Sequence, residues 1–494
     1  MLSKVIYAPY ARGLSALVLC FSQPADESGL WLCIMPALPN DILLLVGEFL
    51  EDHRDRYNLI FVCRRFHDLF LSLVYRAASI TTCCEIQSFL RSVLKRPELA
   101  RAVRSLYFDR WQDGLSTGNA KITGEDCESF HRWTESVSKS DNEFTDWKQD
   151  LQNGVSEAWI ALLLPLARNL RHLRLIYPKD NNYLDRTLQR AVSGECSAFQ
   201  SLQEVSLSHL ECGSDDTRGS FLPSQILPFF QLPLMRKISA DTVMESNSAQ
   251  EDRGMPEADP LTDASSISEI TLNTGNGAKG MKSLIASCPS LKSFKYQHSD
   301  SHLHAEAYQP SAFYRSLVRN KSTLQTLWLD SCGYHFPFTI AGVNETHDEW
   351  FGSLAEFTAL KDLRIRLPNL LDIRYQLEPT TPLPDVLPQS LESLYVEGCK
   401  ENSLSVLLKQ VQMVLGQRAS RFPKLNRIDI EGFFHDDEDY EDSGYEGNGG
   451  TGERVIKPRV YEMVEPLRIA CAGVGVDLFL RDRLCLETMN GSAA

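Results

Sequence analysis

The chain has 494 residues, 43% of them hydrophobic, and a net charge of −15. That apolar content supports a sizeable core and excludes a disordered chain, and the length suits about three domains. The acidic balance excludes a general nucleic-acid binder, which needs a basic surface to neutralise phosphates.

The 13 cysteines are odd in number and form no C-x-x-C pair. They read as reduced thiols of a cytoplasmic or nuclear protein, not as a disulfide framework. No run of 18 apolar residues occurs, so no membrane span is expected. At the N-terminus, Lys4 and Arg12 precede the apolar stretch Leu14 to Phe21, a faint likeness to a secretory signal. No small-x-small cleavage site follows it. Residues 1–34 read as a poorly ordered extension, and the first domain as starting at Met35.

Leu38-Pro39-Asn40-Asp41 opens a helix running to about Leu50, with Asn40 or Asp41 as the N-cap acceptor. Ile42, Leu45, Val46 and Phe49 make one apolar stripe, and Leu43, Val46 and Leu50 a second. A helix apolar nearly all round must be buried nearly all round. A second helix begins near Asp55, and Leu59 to Cys63 is again apolar on every side. A module of about 45 residues hides only ~60% of its chain surface, so either the rest of the chain or another protein covers this one.

Leu38-Pro39-x-x-Ile42-Leu43, then Leu50, then Leu59 with Val62-Cys63-Arg64-x-Phe66, resembles the F-box. The stretch Asp55 to Phe70 is similar to the fungal F-box family with C-terminal repeats. The resemblance implies a three-helix module over 35–80 that inserts apolar side chains into a Skp-type adaptor, which binds a cullin scaffold. Carried over residue by residue, it gives adaptor contact to Leu38, Pro39, Ile42, Leu43, Val46, Leu50, Leu59, Val62 and Cys63. The competing reading is a helical cap for the repeats that follow.

Residues 81–168 read as a linker with a first irregular repeat, Val103 to Phe108. Within it, 109–157 is an acidic, aromatic-bearing insertion expected to be partly helical. Beyond it the pattern apolar-x-x-apolar-x-apolar recurs from Leu170, Leu202, Met235, Ile267, Leu291, Leu324, Leu360, Leu391 and Leu425, at intervals of 24 to 36 residues. Helix-like segments precede most copies: Trp159 to Ala167, Met281 to Ser287, Phe313 to Arg319, Trp350 to Phe357 and Leu404 to Leu415. Two copies end in a ninth-position cysteine, Cys332 and Cys399, and resemble the leucine-rich repeat. A strand and a helix cannot hide their apolar faces alone, so the units stack. The expected fold is α/β, an F-box followed over 169–486 by an irregular leucine-rich-repeat solenoid, a right-handed horseshoe with a parallel sheet. The polar stretch 241–266 and the acidic 435–453 lack the apolar content to order themselves and read as loops; 487–494 is a tail.

Alternation puts the residue between the last two apolar positions of each copy on the open face of the sheet. That column contains Lys295, Trp328, Arg364 and Tyr395, with Arg366 extending it. Trp, Tyr and Arg are enriched in binding hot spots, so these five are the candidate target-binding residues. The expected target carries an apolar anchor with acidic or phosphorylated groups.

Two enzyme-like signals are weak. Gly275-Asn276-Gly277-Ala278-Lys279-Gly280 matches a dinucleotide-binding loop, but every repeat supplies a strand, turn and helix. His298, His302 and His304 are spaced for a metal but lie in a polar loop. Together with those weak signals, the F-box resemblance implies a non-catalytic substrate receptor of a cullin-based ubiquitin ligase, without cofactor or metal. Its partners are the adaptor, the cullin and a protein target, with no nucleic acid and no membrane. The alternative is a repeat scaffold acting outside a ligase.

Overall fold

The computed structural model of the chain describes residues 38–50, 52–108, 124–177, 181–209, 219–246, 265–298, 308–331, 349–373, 378–435 and 456–482. The N-terminal extension, residues 109–123, Cys332, His302, His304, and 247–264 and 436–453 of the two expected loops lie outside them. The chain forms two compact units: residues up to 219 with 231–235, and 220–230 with 236 onward.

The first unit begins with helices α1 (Asn40–Phe49), α2 (His53–Leu59) and α3 (Arg64–Val74). The N-cap of α1 is Pro39, with no side-chain cap. Asn40, expected to cap it, instead accepts two hydrogen bonds from Arg65, at 3.0 and 2.8 Å. Asp52 caps α2 by accepting from the Arg54 amide at 2.8 Å. Strands β1 (Ala77–Ser79), β2 (Ser105–Phe108), β3 (His172–Tyr177) and β4 (Glu204–His209) follow. β1 to β2, β2 to β3 and β3 to β4 pair in parallel without offset. Between β2 and β3 the insertion is helical over Gly124–Val137, Asp141–Asn153 and Ser156–Leu163, and Phe130, Trp147 and Trp159 are buried there.

The second unit carries β5 (Lys237–Asp241), β6 (Glu269–Gly275), β7 (Ser293–His298), β8 (Thr326–Ser331), β9 (Asp362–Arg366), β10 (Ser393–Cys399), β11 (Arg427–Gly432) and β12 (Asp477–Asp482). Each pairs in parallel with the next. The apolar residue that opens each copy of the repeat stands two positions before its strand. From Val103 through Leu425 all ten of these residues are 0 to 1% exposed. They and the inward strand residues form the core, while alternate residues face the other way.

Helices precede several strands as the pattern requires, including Ser156–Leu163, Lys282–Ala286, Pro310–Leu317 and Glu401–Gly416. Trp350 to Phe357 is a correction: it is not helical. Two of its amides bond outside the segment, Phe351 N–H to the Asn369 carbonyl and Leu354 N–H to that of Val386, both at 2.9 Å. Gly352 adopts φ 128° against the ring of Tyr314. Phe351, Leu354 and Phe357 still reach the core, so the apolar spacing is kept without the helix.

Candidate functional site

The helical module α1–α3 has its own core of Leu43, Ile60, Phe66, Phe70, Leu73 and Val74. α1 crosses α3 closely at Gly47, where a β-carbon would stand 2.7 Å from the Phe70 ring and 2.9 Å from Leu73. That approach faces Leu43 and Gly47 inward. It turns Ile42, Leu45 and Phe49, which share one helical stripe, to solvent. Phe49 is 74% exposed and Phe61 67%, with Val62 beside it also exposed. Large apolar side chains held out in this way mark an interaction surface more strongly than any single one would. Arg65 ties the start of α3, next to the Phe61–Cys63 turn, to the start of α1, donating to the Leu38 carbonyl at 2.6 Å as well as to Asn40.

Of the expected contact residues, Pro39, Ile42, Val62 and Cys63 are exposed, and Leu38, Val46, Leu50 and Leu59 are half-buried. Leu38 and Leu59 pack on the module's core. Leu43 is a correction: at 1% exposure it belongs inside, because it sits on the α3-facing side of α1. Leu45, Phe49 and Phe61 are exposed and were not among the expected contacts. The first two lie on the same stripe as Ile42, a signal the spacing already contained.

A second candidate surface lies on the open face of the second unit. The register aligns Lys295 with Trp328, Trp328 with Arg364, Arg364 with Tyr395, Tyr395 with Asp429, and Asp429 with Phe479. The Lys295 ammonium sits 3.6 Å from the centre of the Trp328 ring, and the indole N–H donates to Asp362 at 2.7 Å. The Arg364 guanidinium lies 4.4 Å over the Tyr395 ring. It also meets Asp330 at 2.8 Å, Glu397 at 3.3 Å and Glu431 at 3.9 Å. The Tyr395 hydroxyl donates to Glu431. Arg427 and Arg481 both bind Asp429, at 2.6 and 2.9 Å, and both flank the Phe479 ring.

Burial and the adjoining Asp330 carboxyl push Glu397 well above the usual carboxylate range, and Arg364 only partly offsets them. Burial opposes the charge on Arg364, but Asp330 and Glu397 outweigh it and hold its pKa above the ordinary value. Arg364, one of the cations expected to hold an acidic target, is thus engaged by the protein's own carboxylates. Arg366 is only 5% exposed and is no free tip. Lys295, Trp328, Arg364 and Tyr395 are partly exposed and adjacent, as the spacing implied. β12, with Phe479 and Arg481, completes the row. It escapes the repeat pattern because Gly475 stands where the opening apolar residue would be.

The glycine-rich loop is filled by the protein itself. A β-carbon on Gly280 would stand 2.4 Å from backbone atoms of Ala312 and Phe313, and one on Gly277 2.8 Å from Phe313 and Tyr296. Asn276 exchanges two 2.8 Å hydrogen bonds with the Glu245 backbone, and the Glu245 carboxylate accepts from the Lys279 amide at 2.6 Å. A buried carboxylate therefore occupies the place a phosphate would take. His298 is buried and stacked 4.5 Å from Tyr308. Among the described residues no cluster of His, Cys, Asp and Glu could hold a metal ion, and no helix is long and apolar enough to cross a membrane.

Comparison with family models gives two matches, an F-box-like module over residues 35–80 and a leucine-rich repeat domain over residues 80–438. No curated protein matches the chain.

Proposed function

The chain belongs to the leucine-rich repeat family and opens with an F-box-like module, and from that premise we propose that it is the target-recognition subunit of a cullin-based ubiquitin ligase. The F-box-like module binds a Skp-type adaptor and through it the cullin, and the repeat domain holds the protein to be ubiquitinated. F-box-like modules generally bind such adaptors, and the pairing of module and repeats is typical of non-catalytic receptors.

The observation that carries the reading is the exposed apolar set Ile42, Leu45, Phe49, Phe61 and Val62 on a module that already has a closed core. Covering a side chain of this size is worth about 1.5–3 kcal/mol. The set is therefore enough to anchor a partner, and leaving it bare in water has a cost. Adaptor contact rests on Ile42, Leu45, Phe49, Phe61, Val62, Pro39 and Cys63. Leu38, Val46, Leu50 and Leu59 support them from beneath.

Target binding falls to the open-face row, with Lys295, Trp328 and Tyr395 supplying ring and cation surface. In this reading the protein contributes proximity, and the chemistry of ubiquitin transfer belongs to its partners. Affinity purification of the full chain, with the proteasome inhibited, tests it. Wild type should recover adaptor and cullin together, and an Ile42→Asp plus Leu45→Asp variant should recover neither. Recovery of the adaptor without a cullin would make the chain a scaffold outside the ligase. Loss of neither partner in the variant would reject the reading.

A further inference from the structure

A row of arginines runs from the exposed stripe of the F-box-like module along the N-terminal ends of the first strands. Arg76 pairs with Glu48 at 3.1 Å, and Arg56 donates to the Glu48 carbonyl, so both flank the residue next to Phe49. The amide of Arg104 donates to the Arg76 carbonyl at 2.8 Å, and that of Arg171 to the Arg104 carbonyl at 2.7 Å. The three arginines therefore stand one strand apart, at equivalent positions before β1, β2 and β3. The Arg104 guanidinium donates to the Arg101 and Val103 carbonyls, and Asn169, next in sequence to Arg168, donates to the Arg101 carbonyl at 2.8 Å.

Arg101, Arg168 and Arg171 are exposed and meet no carboxylate among the described residues, although the chain as a whole carries a net charge of −15. Burial and then the charges of Arg171 and Arg76 depress the pKa of Arg104, so the row repels itself as it stands. Like charges gathered at one edge, against the sign of the whole molecule, attract an anionic partner. The row begins at Glu48, on the rim of the apolar stripe, so the two surfaces are continuous.

We propose that this arginine row is a basic extension of the adaptor-docking surface and that it receives an acidic segment of the same partner that covers Ile42, Leu45 and Phe49. The proposal rests on the adaptor reading above. The apolar stripe would supply the holding energy, and the row would speed encounter and fix the direction in which the partner lies against the first repeats. This division of labour predicts different salt responses, because apolar burial is nearly indifferent to salt and exposed charge pairs are screened.

The test measures binding of a purified Skp-type adaptor to three forms of the full chain: wild type, Arg104→Gln plus Arg171→Gln, and Ile42→Asp plus Leu45→Asp. Thermal unfolding of each checks that it is folded. Raising salt from about 50 to about 300 mM should weaken the wild type roughly tenfold, mostly through slower association. The arginine variant should bind about tenfold weaker at low salt and lose most of that salt dependence. A wild-type affinity and salt slope in the arginine variant, with binding lost in the Ile42 and Leu45 variant, would overturn the arginine proposal and leave the adaptor reading standing. Unchanged binding in both variants would remove the adaptor reading as well. An arginine variant that binds adaptor normally but no longer captures its target would reassign the row to the target and also overturn the proposal.

Discussion

Arg364 lies 3.3 Å from Glu397, a carboxyl with no solvent exposure, and the same guanidinium reaches Asp330 and Glu431. Removing the arginine strands three acids in a small volume. Arg364→Ala should therefore destabilise the second unit by about 3 kcal/mol, because breaking a buried pair leaves an uncompensated charge. Trp328→Ala, on a half-buried ring, should cost about 1–2 kcal/mol and chiefly affect target capture. Urea unfolding of the two variants would separate these effects, and equal destabilisation would contradict the assignment. A binding defect in an Arg364 variant is interpretable only beside that measurement.

Leu43 distinguishes core from contact in the F-box-like module. Leu43→Ala should lower stability by about 2–4 kcal/mol, the range for emptying a buried leucine site. Leu45→Ala, two residues on and exposed, should change stability by no more than about 0.5 kcal/mol while weakening adaptor binding. Thermal unfolding and adaptor titration of both variants check this pair. A stable Leu43→Ala chain would return that residue to the contact surface.

The glycine loop should reject even the smallest side chain. At Gly280 the backbone has φ 65° and the added carbon would meet backbone atoms at 2.4 Å, so Gly280→Ala should destabilise by roughly 2–4 kcal/mol. A nicotinamide dinucleotide should leave the melting temperature of the wild type unchanged, because Glu245 already holds the loop amides. A melting temperature that rises with nucleotide would reopen the enzymatic reading.

Glu157 makes stability depend on pH in an unusual direction. It is 3% exposed, and burial raises its pKa to about 7 in spite of the backbone amides of Leu184, Tyr183 and Asn182 that favour its charge. A folded pKa above the unfolded one near 4.5 means that the folded state holds the proton more tightly. The contribution is therefore complete below about pH 4.5 and is lost as pH rises through 7, by about 3 kcal/mol. Glu157→Gln should flatten stability against pH between 5 and 8. A wild-type slope in that variant would place the effect elsewhere.

The repeat was legible because its signal is redundant. An apolar residue two positions before each strand and alternation within it coincide ten times, and all ten anchors are buried. β12 was not legible, since its anchor position is Gly475 and the pattern had nothing to catch. Trp350 to Phe357 has helical apolar spacing but no helix, because the amides of Phe351 and Leu354 are claimed by Asn369 and Val386, far along the chain. On α1 both stripes are apolar, so hydropathy could not tell Leu43 from Ile42. The deciding residue is Gly47, which lets α3 approach one side only. Similarly, the candidate target residues were found by alternation, but the carboxylates that occupy Arg364 come from neighbouring strands, a relation fixed by register.

The alignment of one position from β7 to β12, which the bulge after Val396 in β10 leaves intact, also has an evolutionary consequence. Each strand supplies one side chain to the same row, so single substitutions can retune the proposed target surface without disturbing the apolar layer beneath. The freedom is uneven. Lys295 and Trp328 lean on one another and on Asp362, and can drift as a pair. Arg364 and Tyr395 are interlocked with Asp330, Glu397 and Glu431, and can change only in concert. Diversification among descendants of this chain should therefore concentrate at the Lys295 end of the row and leave the Arg364 end nearly frozen.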